Sequence, residues 1–306
     1  MSMLTVSSSP HIHSGASTEK VMRDVLIALA PAAVASVVIF GWRSLLVIFT
    51  CVVSAAFFEW GFEKVMGRTN TIGDLSACVT GVILAYNLPV TIPLWQAALG
   101  SAVAIVLVKQ LFGGIGKNFA NPAVTARIVL FLAFSGSMTN FVSPDGVTAA
   151  TPLSLLSGSA ATLGAPSTLD LFLGNHGGSL GEVSALALLI GFVYLLIRKV
   201  ITWETPVIYI AVVFALSAAF GRNPVDSILA GGLMLGAIFM ATDYVTAPMT
   251  FWGRVIFGAG AGVFTAIFRV YGSYPEGVSF AILLMNILTP YINRLTMTKP
   301  FGGVRT

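Results

Sequence analysis

Ten apolar stretches constrain this chain more than any other feature. They lie at about residues 22–40, 44–62, 72–88, 93–112, 121–136, 181–197, 204–220, 225–242, 252–270 and 277–295. A bilayer core takes about 20 apolar residues as one helix, and backbone polar groups in lipid must find partners inside the segment. The stretches therefore predict an all-α polytopic membrane protein with about ten transmembrane helices. Composition agrees, because only 9% of residues are charged, against about 25% in soluble domains. The third, fifth and eighth stretches are short or interrupted by Gly, Asn or Pro, so their boundaries are the least defined.

Charge placement orients the chain. With the N-terminus in the cytoplasm and strict alternation, thirteen Lys and Arg residues fall inside, Lys109 and Arg127 among them. Only Arg43, Arg222 and Arg269 fall outside, a positive-inside bias that predicts cytoplasmic N- and C-termini. The first 20 residues are polar and lack a signal-peptide core. No basic run exceeds Arg198-Lys199, so a nucleic-acid partner is not expected.

Five stretches precede a loop at 137–180 and five follow it. An odd number per half makes the second half enter from the opposite side, the arithmetic of an inverted repeat. Asp74-Leu-Ser-Ala-Cys-Val-Thr-Gly81 opens the third stretch and Asp226-Ser-Ile-Leu-Ala-Gly-Gly232 the eighth. The expected organisation is a tail at 1–20, a five-helix repeat at 21–136, the outer-face loop at 137–180, a second repeat at 181–296 and a tail at 297–306.

Few residues can carry chemistry. Cys51 and Cys78 lie far apart in apolar stretches and read as small buried hydrophobes; no Cys-x-x-Cys pair offers an Fe–S or zinc site. His11, His13 and His176 are too scattered for an all-protein metal site. Glu59 lies within the second stretch, and ionisable residues at membrane depth usually mark a pathway or a partner. Asp74 and Asp226 read either as helix caps or as members of such a pathway. Asp243 sits where a helix C-terminus disfavours a carboxylate, so an ion, a cationic side chain or a cofactor hydroxyl is expected beside it.

Gly113-Gly-Ile-Gly-Lys-Asn118-Phe-Ala-Asn121-Pro122 lacks the ending and the strand of a nucleotide loop. It offers Lys117, Asn118 and Asn121 either to a heterocycle edge or as a turn and cap before Pro122. The long loop carries Asp145-Gly-Val-Thr148-Ala-Ala-Thr151 in a small-residue setting. No Ser-His-Asp system frames Thr151; it reads as a plain connector or as an acceptor for covalent attachment.

Further spaced segments carry a resemblance. They are Ser9-Pro-His-Ile-His-Ser14, Met22 through Pro31, Asp74 through Pro89, Phe112 through Pro122, Phe239-Met-Ala-Thr-Asp243, Tyr274-Pro-Glu-Gly-Val278 and Ala281 through Asn286. Over nearly its whole length the chain resembles the RnfD proteins of Rnf electron-transport complexes and, more distantly, the NqrB proteins of sodium-pumping NADH:quinone oxidoreductases. That resemblance implies FMN joined through a phosphoester to Thr151 by a flavin transferase outside the cytoplasmic membrane of a prokaryote. Asp145 and Thr148 belong to the matching pattern, in which Ala149 replaces the usual Gly. It also implies riboflavin held non-covalently at Asn118 and Asn121, and cation coupling near Asp243. Phe239 matches a family phenylalanine, whereas Leu235 stands where NqrB-like sequences carry a second one. The implied role is electron relay in a ferredoxin:NAD+ oxidoreductase that translocates Na+ or H+. Partner subunits supply the Fe–S clusters, the NAD site and a second covalent FMN. The competing reading is a stand-alone inverted-repeat channel or carrier for a small polar solute.

Overall fold

The computed structural model describes residues 17–144, 152–153, 166–272 and 277–297. Asp145, Thr148 and Thr151 lie outside the described residues. Helices, and no strands, build the described part.

Helix α1 (Thr18–Phe40) starts where the Ser17 hydroxyl accepts from Lys20 N–H, and Gly41 at φ 75° turns the chain into α2 (Trp42–Val65). Helix α3 (Ser76–Tyr86) is short, and α4 runs as Leu94–Ala102 and continues as a π-helix, Val103–Gln110. Helix α5 (Pro122–Ala133) has Pro122 in its first turn and Asn121 as its cap. Helix α6 (Thr168–Leu173) lies in the long loop, and α7 (Ala185–Ile197) and α8 (Glu204–Ala219) follow.

The eighth stretch is broken. Helix α9 (Pro224–Leu229) stops, the chain turns through Ala230–Gly232, and α10 (Leu233–Leu235) passes into a second π-helix, Gly236–Met240. Gly231 and Gly232 hold φ of 70° and 67°, and a Cβ on Gly232 would lie 2.3 Å from Glu182 Oε1. Only glycine fits that conformation and that space. Helices α11 (Phe251–Tyr271) and α12 (Val278–Thr296) complete the bundle.

Among the described residues, α1, α2, α11 and α12 are long and apolar enough to cross a membrane unaided. At about 1.5 Å per residue, α3 rises only about 17 Å and must end inside protein. Along α2, Leu45, Phe49, Val53, Phe57 and Trp60 recur at helical spacing and are all exposed. Such an unbroken apolar face suits lipid, so the chain is an all-α multi-pass membrane protein.

The second helix of each half packs on the third and fourth of that half, as α2 does on α3 and α4, and α8 on α9 and α11. The first helices, α1 and α7, pair across the halves, as do the last, α5 and α12.

Two sequence expectations need correction. Lys109, Arg127 and Arg269 are not flanking charges: they are 3%, 4% and 5% exposed and packed within the bundle. The side bias therefore rests on the other basic residues. Nor does the long loop run wholly as an outer connector, because residues 176–185 are all buried. Leu180 N–H donates to Leu88 O at 3.0 Å and Gly181 N–H to Tyr86 O at 2.9 Å. These bonds satisfy carbonyls left free at the end of α3. Protein surrounds this irregular backbone, the condition under which a bundle tolerates it.

Candidate functional site

A cavity of about 580 Å³ opens between the two halves, within the range typical of small-ligand sites. It gathers Asn118, Asn121, Phe239 and Asp243, four of the residues singled out in the sequence. Lys109 and Ser76 join them. The two π-helices meet at this cavity, one carrying Lys109 and the other Phe239. Wide turns of this kind occur mostly at functional places in helices.

Asn121 has two tasks. Its carbonyl oxygen accepts from Ala123 N–H and Val124 N–H, at 3.0 and 3.3 Å, capping α5. Its amide donates to Met240 O at 3.3 Å, tying the cap to the end of the broken helix in the other half. Asn118 donates to Ala120 O at 3.0 Å and is nearly buried. Asp243 accepts from Thr246 Oγ1 at 3.1 Å, three residues beyond the last π-turn. Its carboxylate is thus aimed at a following turn and at the cavity, which answers part of the objection to an acid at a helix end.

The other expected residues lie elsewhere. Lys117 is exposed, folds back over Gly113 and does not line the cavity. Asp74 accepts from Ser76 N–H at 2.8 Å and from the Ser76 hydroxyl, so it organises the start of α3 beside the lining. Asp226 is not the cap of α9; Asn223 is. Asp226 instead accepts from Asn223 Nδ2 at 2.6 Å and from Thr168 Oγ1 at 2.8 Å, clasping the loop helix α6 onto α9.

Behind the cavity lie two buried charge clusters, and sequence reasoning missed the pairing in both. In the first, Lys109 Nζ donates to Glu59 Oε1 at 2.7 Å and to Ser76 Oγ at 2.6 Å. Gln110 Nε2 and Thr71 Oγ1 reach the same Glu59 oxygen at 2.9 and 3.2 Å. Glu63, also buried, accepts from Thr71 N–H at 3.1 Å. In the second, Arg127 donates to Asn87 Oδ1 and Ser279 Oγ, each at 3.0 Å, and to Glu182 Oε1 at 3.1 Å. The available signal was Glu59 at membrane depth, since such a group needs a partner. A lysine near a helix end gives no such signal, because it reads as snorkelling toward the interface.

On the loop side, His176 is buried with Nδ1 3.0 Å from Gly177 O. Burial pushes its imidazole below the ordinary value, so the ring is neutral at pH 7. The neighbouring described segment, Pro152–Leu153, is anchored. Leu153 packs with Leu171 and Ala230, against the break in the eighth stretch.

The cavity has apolar walls from both halves and only a few polar groups on its edge. Amides, an ammonium and a carboxylate offer both donors and acceptors, and Phe239 offers an aromatic ring. That set suits a planar heterocycle held by its edge, so the residues present fit a non-covalent flavin.

The sequence matches the NQR2, RnfD, RnfE family over residues 5–302. It is 46% identical to the RnfD-type component of the Na(+)-translocating ferredoxin:NAD(+) oxidoreductase complex of Acetobacterium woodii, over 98% of this chain and 95% of that protein. Identity is 42% to the corresponding component of the proton-translocating ferredoxin:NAD(+) oxidoreductase complex of Clostridium ljungdahlii, over 99% and 97%. It is 36% to that of the ion-translocating oxidoreductase complex of Halorhodospira halophila, over 97% and 95%. A match that runs through every described helix leaves one conclusion: the chain belongs to the NQR2, RnfD, RnfE family.

Proposed function

We propose that this protein is the membrane flavoprotein subunit of an ion-translocating ferredoxin:NAD+ oxidoreductase of the Rnf type. It relays electrons between FMN esterified to Thr151 on the outer face and riboflavin in the inter-half cavity, coupled to movement of Na+ or H+. The cavity carries the reading, because it draws Asn118 and Asn121 from one half together with Phe239 and Asp243 from the other. Near-full-length identity to components of complexes named for this activity supports it.

A bound flavin supplies the one- and two-electron chemistry, and the protein supplies placement and electrostatics. Asn118 and Asn121 present amides to the heterocycle edge, and Phe239 closes the apolar wall. The buried loop end at 176–185 excludes water between the cavity and the outer loop. Leu153, two residues after Thr151, holds the attachment segment against the break at Ala230. Two residues of chain span at most about 7 Å, so the esterified flavin stays tethered to the outer end of α9. Asp243 is the ion-coupling residue, with Phe239 beside it; Asp74 and Asp226 shape the helix starts that frame the path.

The recurring helix pairing supports two five-helix repeats, 21–136 and 181–296, flanking the loop at 137–180. The protein lies in the cytoplasmic membrane with both termini inside, beside subunits bearing Fe–S clusters, the NAD site and a second covalent FMN. A flavin transferase matures it.

The test is in-gel flavin fluorescence of denatured protein made alongside a flavin transferase. Wild type is expected to fluoresce and Thr151→Ala to be dark. A dark wild-type band would remove the covalent flavin and favour a stand-alone carrier.

A further inference from the structure

We propose that Lys109 is a redox-tuning residue: the positive end of the Glu59–Lys109 pair faces the cavity and stabilises the negative charge that a flavin there gains on reduction. This rests on the reading that the cavity takes a flavin.

Three observations carry it. Lys109 lines the cavity, while Glu59 is 0% exposed and does not. The pair is therefore a fixed dipole whose cationic end points at the ligand space. Two of the three ammonium hydrogens are used, on Glu59 and on Ser76. Ser76 also lines the cavity, so the ammonium is held at the wall and not behind it. The Glu59 oxygen facing Lys109 also accepts from Gln110 and Thr71. That carboxylate is held in place and cannot follow the ammonium.

The chemistry balances simply. One electron from a one-electron carrier adds one negative charge to the isoalloxazine, concentrated at the N1 and C2-carbonyl edge. No bond to the protein forms or breaks. A preorganised cation in a site of low polarity acts on such charge far more strongly than it would in water. Lys109 touches neither an electron donor nor an acceptor; its part is to set the potential.

The experiment uses the full-length chain carrying Thr151→Ala, so that only cavity flavin titrates. Reductive titration is followed by absorbance, with riboflavin as the probe. Lys109→Gln is combined with Glu59→Gln, so that no buried carboxylate is left uncompensated. The expected result is a reduced form destabilised at least tenfold relative to the parent, a downward shift of about 59 mV for one electron. Glu59→Gln alone, which leaves the ammonium unopposed, is expected to shift the potential upward. If the double variant holds flavin weakly, the ratio of Kd values for oxidised and reduced riboflavin reads the same quantity. Unchanged potentials, or a downward shift in both variants, overturn the role of Lys109 while the cavity flavin stands. A parent protein that binds no riboflavin overturns both.

Discussion

The fourth helix of each half carries a buried cation near its C-terminal end, and the two are held differently. Lys109, on α4, is gripped by the Glu59 carboxylate and the Ser76 hydroxyl beside a cavity. Arg269, on α11, donates to Ser227 O at 2.6 Å, Ala230 O at 3.0 Å and Gly231 O at 3.1 Å. Each cation secures the start or the break of the third helical stretch in its own half. Carbonyls cannot titrate and offer a guanidinium fork a fixed target, so Arg269 is a strut. A carboxylate and an ammonium respond to charge arriving nearby, so the Lys109 site can sense the cavity. Equivalent places in the two halves have thus taken up different work: one responds to the ligand space, and the other anchors the long loop through α9.

The sharpest way to break this contrast is to remove the charges that serve structure alone. Arg127→Ala leaves Glu182 buried and uncompensated, and breaking such a pair costs about 3–5 kcal/mol. Thermal unfolding in detergent should show a large fall in Tm, and Glu182→Gln added to it should restore much of the loss. Arg269→Ala strands three carbonyls. Hydrogen bonds from a charged donor contribute about 1.5–3 kcal/mol each, so a loss of about 3 kcal/mol or more is expected. Protease sensitivity of the 137–180 loop should rise with it. An Arg269→Ala variant as stable as wild type would end the strut account.

Next in size is Asn121→Ala. It removes a cap worth about 1 kcal/mol and the bond to Met240 O, so stability should fall modestly. Riboflavin affinity should fall further, because the cavity loses the link between its halves; binding isotherms and Tm together separate the two effects.

The smallest effect concerns α6. Ser167 and Asp170 form a reciprocal capping box there. The bond from Ser167 holds the Asp170 carboxyl below its ordinary value. A depressed carboxylate stabilises the fold above its unfolded pKa and loses that contribution as pH falls through its folded pKa. Amide exchange in residues 168–173 should therefore quicken only in acid. Asp170→Asn should show the quickened rate already at neutral pH.

The sequence was informative where hydrophobic length decided structure and weak where contacts were long-range. Nine of the ten apolar stretches contain one principal helix, near the expected bounds. The eighth does not, because Gly231-Gly232 reads as flexible until Glu182 is seen to occupy the space behind it. Asn118, Asn121, Phe239 and Asp243 were legible as candidates, yet their meeting in one cavity depends on contacts across more than a hundred residues. Burial of the loop end was illegible for the same reason. A Gly-Gly-Ser-Leu-Gly run reads as turns, and its partners at Tyr86 and Leu88 lie far back in the chain. Lys109 and Arg269 were misread as flanking charges, since a basic residue at a helix end normally snorkels.

The central claim is that the cavity between the halves holds a flavin independently of Thr151. Its most direct test is the flavin released on denaturing purified Thr151→Ala protein, separated by chromatography and identified by mass. Riboflavin is expected in roughly equal amount to protein, and it should be lost when Asn121→Leu is added. No released flavin from folded Thr151→Ala protein would contradict the claim.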